Sequence, residues 1–148
     1  MSNTIEKSIE IKAPRARVWR ALTSHTEFGT WFGLAIDAPF EVGKVSTGKI
    51  TIEGFTHVPW HSTIKAMEEP AYFAYTWHPY AVDPDVDYSG EPETLVEFWL
   101  EEGDGQTSVR VRETGFDNLP AHRVAEALRA NTHGWASQLE NIKKHVEN

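Results

Sequence analysis

Apolar residues recur at two spacings in this chain, alternate positions over most of its length and every third or fourth position near its end. Residues 4–12 place Ile5, Ile9 and Ile11 on one side and Glu6, Glu10 and Lys12 near or on the other, which predicts a half-buried first strand. Ala13-Pro14 ends it. Pro14 suits the first turn of a helix, Val18, Trp19 and Leu22 then recur at helical spacing, and after the break at Thr23-Ser24 a short second helix leads to Trp31-Phe32-Gly33.

From about residue 36 the period is two, and Gly43, Gly48, Gly54 and Pro59 punctuate short strands. The clearest are 60–67, with Trp60, Ser62, Ile64 and Ala66 on one face; 72–78, with Phe73, Tyr75 and Trp77; 94–101, with Val96, Phe98 and Leu100; and 107–114, with Val109 and Val111. Their short connections predict antiparallel neighbours in a meander, and Gly103-Asp104-Gly105 reads as a hairpin turn. His78-Pro79 to Glu93, with three prolines and five acidic residues, is a long loop, of the kind that is a functional lid or a disordered excursion.

Residues 119–146 are the longest periodic segment: Val124, Leu128, Trp135, Leu139, Ile142 and Val146 form one apolar stripe. Asp117 and Asn118 stand before Pro120 as capping residues, and Lys143, Lys144 and His145 suit the negative end of the helix dipole. A sheet with one apolar face and a long striped helix bury those surfaces against each other, so the expected fold class is two-layer α+β, one domain over residues 1–148. No repeat, low-complexity tract or linker interrupts it.

Composition narrows the function. Fourteen Lys and Arg against 22 Asp and Glu leave a net charge of −8, without the positive field that nucleic acid requires. The absence of cysteine excludes disulfides, thiolate nucleophiles and thiolate metal sites. Met1 to Lys7 lacks a basic region followed by an apolar core, and no apolar run approaches the roughly 20 residues of a membrane span. The expectation is a cytoplasmic chain. Six Trp, four Tyr and seven Phe are many for 148 residues, and such clusters line cavities as well as fill cores.

The stretch Ala13-Pro14-Arg15-Ala16-Arg17-Val18-Trp19-Arg20-Ala21-Leu22-Thr23, followed by Trp31-Phe32-Gly33, resembles the opening of START-like (SRPBCC) proteins of the heat-shock-chaperone ATPase activator homologue type. Thr114-Gly115-Phe116 and His133-Gly134-Trp135-Ala136-Ser137-Gln138-Leu139-Glu140-Asn141-Ile142-Lys143-Lys144 are similar to the last strand and helix of that family, and Tyr75-Thr76-Trp77-His78 fits between. The resemblance implies a helix-grip fold: a curved antiparallel sheet around the C-terminal helix, with a hydrophobic cavity between them. Carriers, polyketide cyclases and stress-related proteins share it, so fold alone does not choose a chemistry.

On these strand phases Trp60, Phe73, Tyr75, Trp77, Phe98 and Val111 face Val124, Leu128 and Trp135 across that cavity, with Trp31 and Phe32 joining from the helix pair. An ordinary core would use the same residues. Glu113 continues the Val109-Val111 face, so its carboxylate points inward as a ligand anchor, a general acid or base, or a strand-end group satisfied by water or Thr114. Asn131 and Thr132 interrupt the helix stripe; one of them faces the cavity to hold a ligand's polar group or to bond the preceding turn.

Asp83, Asp85 and Asp87 alternate as in a calcium loop, but Tyr88 stands where the turn glycine belongs and Thr94 where the bidentate Glu belongs. His57, His61 and the other five histidines lack zinc spacing, and no nucleophile elbow or phosphate-binding glycine motif is present. No metal, cofactor or catalytic set is expected. The expected function is binding of a small hydrophobic or aromatic molecule; the alternatives are a cyclase or hydrolase acting through Glu113, and an interaction module with a chaperone partner. Trp99, outward between Glu97 and Glu101, reads as a covered sheet face, a homodimer contact or equally a lone exposed Trp.

Overall fold

Beyond the helix pair, strand follows strand in one sheet, because the connections are too short to cross over except for the longer loop 78–93, which returns to the adjacent strand. The computed structural model describes residues 3–148. Strand β1 (Ile5–Ile11) leads into helices α1 (Arg15–Thr23) and α2 (His25–Phe32); β2 (Leu34–Ile36), β3 (Val45–Ile50), β4 (Pro59–Glu68), β5 (Tyr72–Trp77), β6 (Thr94–Gly103) and β7 (Gln106–Thr114) follow, then a short 3-10 turn and α3 (Ala121–Glu147). The seven strands form one antiparallel sheet in the order β1-β7-β6-β5-β4-β3-β2. The chain thus closes β1 onto β7, and this curved sheet with its long C-terminal helix is the α+β helix-grip architecture.

The interior between the sheet and the helices is mostly apolar. Ile11, Val18, Leu22, Phe28, Ile64, Phe73, Val96, Val109, Phe116 and Ile142 have no exposed surface, and each such side chain contributes about 2 kcal/mol of burial. Ser24 caps α2 by accepting from the Glu27 amide. Gly33 ends α2 at φ 96°, a left-handed conformation that favours glycine, and turns the chain into β2. Asp104 and Gly105, at φ 54° and 77°, make the expected two-residue hairpin turn between β6 and β7.

Three local expectations are corrected. A bulge between Ile64 and Ala66 shifts the register of β4, so Met67 rather than Ala66 opposes Phe73 on the inner face. Pro120, not Asp117 or Asn118, stands at the N-cap of α3 and makes no side-chain cap; Asp117 accepts a hydrogen bond from Asn3 instead. The buried stripe of α3 runs through Arg123, Ala127, Trp135, Leu139 and Ile142, while Val124, Leu128 and Val146 are half-buried at its border. Trp99 does face outward. It lies under the guanidinium groups of Arg110 and Arg112, at 4.5 and 4.8 Å, and beside the Tyr72 ring.

Among the described residues no helix is long and apolar enough to cross a membrane.

Candidate functional site: an aromatic cavity under a tethered loop

Where the sheet edge at β3 and β4 diverges from the middle of α3, the interior is not filled by side chains. A cavity of about 830 Å³ remains, walled by Phe32, Trp60, Trp77 and Trp135 and covered by residues 80–89. Ile52, Phe55 and Val86 border it although they are 48%, 43% and 45% exposed, so its mouth is apolar as well as its wall.

Alternation along β4 and β5 turns Trp60 and Trp77 inward, and their rings meet at 5.7 Å. Trp60 donates through Nε1 to Ser46 Oγ at 2.9 Å, which keeps its polar edge away from the cavity. Phe32 stacks on Phe28 at 5.0 Å, and its carbonyl accepts from Gln138 Nε2 at 2.9 Å, tying the end of α2 to α3. Gly48 allows β2 to approach β3 here: a Cβ on it would lie 2.2 Å from the Ala35 carbonyl oxygen.

Behind this wall lies Glu113. It has no exposed surface, and each carboxylate oxygen accepts two hydrogen bonds: Oε2 from Trp77 Nε1 at 2.7 Å and Thr94 Oγ1 at 2.5 Å, Oε1 from Asn131 Nδ2 at 2.9 Å and Trp135 Nε1 at 2.8 Å. All four donors are neutral. They use the acceptor capacity of the group and join β5, β6, β7 and α3 at one point. Glu113, expected as a ligand anchor, does not border the cavity; it accepts from Trp77, Asn131 and Trp135, which do. Burial pushes the Tyr75 hydroxyl well above its ordinary range, and the charge of Glu113 pushes it the same way. That hydroxyl and Ser62 Oγ are buried without a hydrogen-bond partner among the described residues.

The covering loop is fastened by a residue that periodicity alone did not single out. Arg123, in the first turn of α3, is 6% exposed. It donates to both oxygens of Glu91 at 2.9 to 3.3 Å and to the carbonyls of Pro79 and Tyr80 at 2.9 and 3.0 Å, and it lies 4.7 Å from the Tyr88 ring centre. Tyr80 occupies the left-handed region at φ 50°, a cost the tether offsets. On the opposite rim His57 Nε2 bonds the Val82 carbonyl at 2.9 Å, and His78 Nε2 bonds the Glu91 carbonyl at 3.0 Å.

Of the thirteen residues expected at a cavity, Phe32, Trp60, Trp77, Asn131 and Trp135 border it. Phe73, Tyr75, Phe98 and Val111 instead fill the core beneath it, on strands in the middle of the sheet where these side chains are fully or almost fully buried. Val124 and Leu128 pack at the edge of that core, and Trp31 faces away, donating to the Ala21 carbonyl at 2.8 Å. Thr132 bonds the Leu128 carbonyl in the preceding turn, so Asn131 is the residue that reaches the cavity side. Sequence reasoning missed Ile52, Phe55, Tyr80, Tyr88 and Arg123. The first four are apolar or aromatic residues inside polar loops, and Arg123 is a cation four residues before Ala127 on the buried stripe.

The aspartates of the loop serve local turns: Asp83 Oδ1 accepts from the Asp85 amide and Asp87 Oδ1 from the Ser89 amide, at 2.9 and 3.0 Å. Among the described residues no three His, Asp or Glu side chains are grouped to hold a metal ion.

Comparison with known proteins agrees with the architecture. MLL2253 from Mesorhizobium loti is 24% identical, with a TM-score of 0.76 over 97% of this chain and 96% of its own. The Aha1 dimer from Colwellia psychrerythraea is 22% identical, with a TM-score of 0.72 over 97% of this chain and 96% of that one. DynU16, from the dynemicin biosynthetic locus, is 19% identical with a TM-score of 0.76; it matches 100% of this chain, which spans 48% of its length. At these identities the likeness is one of fold. No curated protein matches the sequence. Residues 12–147 match the family described as Activator of Hsp90 ATPase homolog 1-like protein, and the chain belongs to that family.

Proposed function

We propose that this protein binds a small apolar or aromatic molecule in the cavity between β3, β4 and α3. One observation carries the reading: about 830 Å³ of space is walled by Phe32, Trp60, Trp77 and Trp135 and opens through an apolar rim. Well-packed interiors leave few voids larger than a water molecule, and a space this size matches those that bury drug-sized ligands. The aromatic rings supply burial, and Asn131, whose amide nitrogen is committed to Glu113, keeps its carbonyl oxygen to accept from a ligand donor.

Glu113 acts in this reading by holding the wall, not by moving protons, since its four acceptor positions are occupied by protein donors. The test is native mass spectrometry of the purified protein with denaturing extraction, followed by calorimetric titration with 1-naphthylmethanol as an apolar aromatic probe. A co-purifying apolar compound or saturable binding at one site supports the proposal. An empty protein that gives no heat with the probe overturns it.

A further inference from the structure

The permanent charges that border the cavity are all of one sign. No Lys or Arg is among the residues that border it, and its basic groups are the imidazoles of His57, His61 and His78, whereas Asp37, Asp83 and Asp87 supply carboxylates. Among the described residues none of these carboxylates is paired with a cation by hydrogen bond: Asp37 accepts from Thr47 Oγ1 at 2.8 Å, and Asp83 and Asp87 accept from backbone amides. The buried Arg123 is already committed, because it donates to Glu91 and to the Tyr80 and Pro79 carbonyls.

A second, independent feature lies deeper. The carboxylate of Glu113 is fully buried, and none of its four hydrogen-bond partners is a cation. Two of those partners are the indole N–H groups of Trp77 and Trp135, the rings that wall the cavity. An indole that donates to a carboxylate carries more electron density on its faces, and that density attracts cations. A negative charge close behind low-dielectric aromatic walls also sets the potential in the space in front of them.

We infer that the ligand is an aromatic or apolar molecule bearing a positively charged amine or quaternary ammonium group, and that anionic amphiphiles such as fatty acids are rejected. This rests on the cavity being the binding site. The apolar part lies against Phe32 and Trp60, and the cationic group lies against Trp77 and Trp135 within reach of Asp83 and Asp87. An anion in the same position would meet aromatic faces and carboxylates without a Lys or Arg to neutralise it, the bordering basic groups being the imidazoles of His57, His61 and His78.

The experiment is calorimetric titration at pH 8, above the ordinary histidine range, with three probes on one ring system: (1-naphthylmethyl)trimethylammonium, 1-naphthylmethanol and 1-naphthylacetate. The ammonium compound is expected to bind at least roughly tenfold more tightly than the acetate, with the alcohol between them. In the Asp83→Asn/Asp87→Asn double variant that ratio shrinks. Acetate binding as tight as ammonium binding overturns the charge selectivity while leaving the cavity as a site. No binding of any probe overturns the cavity reading itself. A ratio unmoved in the double variant overturns the role given to the loop carboxylates.

Discussion

Arg123 Nη2 lies 2.9 Å from Glu91 Oε1, and this ion pair joins the first turn of α3 to the loop that covers the cavity. Its side chains are 8% and 14% exposed, so the pair is held away from bulk water, and Arg123 spends its other donors on the Pro79 and Tyr80 carbonyls. Removing one partner of such a pair leaves the other charge buried without compensation.

Arg123→Met is therefore expected to lower stability by about 3 kcal/mol in denaturant titration. Hydrogen exchange should become faster over residues 79–91 before it changes in β6 and β7. Combining it with Glu91→Leu should cost less than the sum of the single changes, because the stranded carboxylate is removed as well. Strict additivity would mean that the two side chains do not act as a unit.

Glu113→Gln and Tyr75→Phe are expected to differ in sign. The glutamine amide presents two donors to a site where four donors already converge, leaving at least two buried groups unpaired at about 1 to 3 kcal/mol each. Tyr75→Phe removes a hydroxyl that has no partner, so stability should stay level or rise by about 1 kcal/mol. Urea midpoints of the two variants check this, and Trp fluorescence should report displaced indoles only for Glu113→Gln.

Glu27 supplies a pH dependence. Burial raises its carboxyl, but hydrogen bonds from His145, Arg17 and Arg20 outweigh that and hold Glu27 below its ordinary value of 4.5. A depressed folded value means that its contribution is fully present above the unfolded value and is lost as pH falls through the folded one. Glu27 links α1, α2 and α3 and its side chain is 22% exposed, so screening limits the contribution to about 1 kcal/mol. Glu27→Gln should lower stability at pH 7 by that amount and lose less between pH 5 and 3 than the parent. An identical acid profile in both proteins would rule out this linkage.

Gly134 borders the cavity from the middle of α3, and a Cβ there would meet nothing within 4 Å. Gly134→Ala should stabilise the helix by about 1 kcal/mol, the ordinary penalty of an interior glycine. Gly134→Trp should fill the cavity and abolish binding of 1-naphthylmethanol with the fold intact by circular dichroism. Binding that survives in Gly134→Trp would place the probe elsewhere.

Much of the architecture is written in local periodicity. Alternation at Ile9 and Ile11, at Phe73, Tyr75 and Trp77, and at Val109 and Val111 marks strands whose pairing follows from short connections. The spacing of Trp135, Leu139 and Ile142 marks the helix they close upon. The inward direction of Glu113 follows from the same count of two, because a side chain two residues beyond Val111 on an uninterrupted strand shares its face.

Periodicity names a face but not the depth at which a residue lies on it. Phe98 and Trp60 both point inward, yet Phe98 is sealed in the core and Trp60 borders open space. The partners of Glu113 and the meeting of Arg123 with Glu91 join residues far apart in the chain, up to 36 positions for Trp77 and Glu113. Residue types and spacings determined by themselves that a striped helix would close on an apolar sheet. Only tertiary structure decided where that closure is incomplete, since a cavity is the difference between surfaces contributed by distant segments.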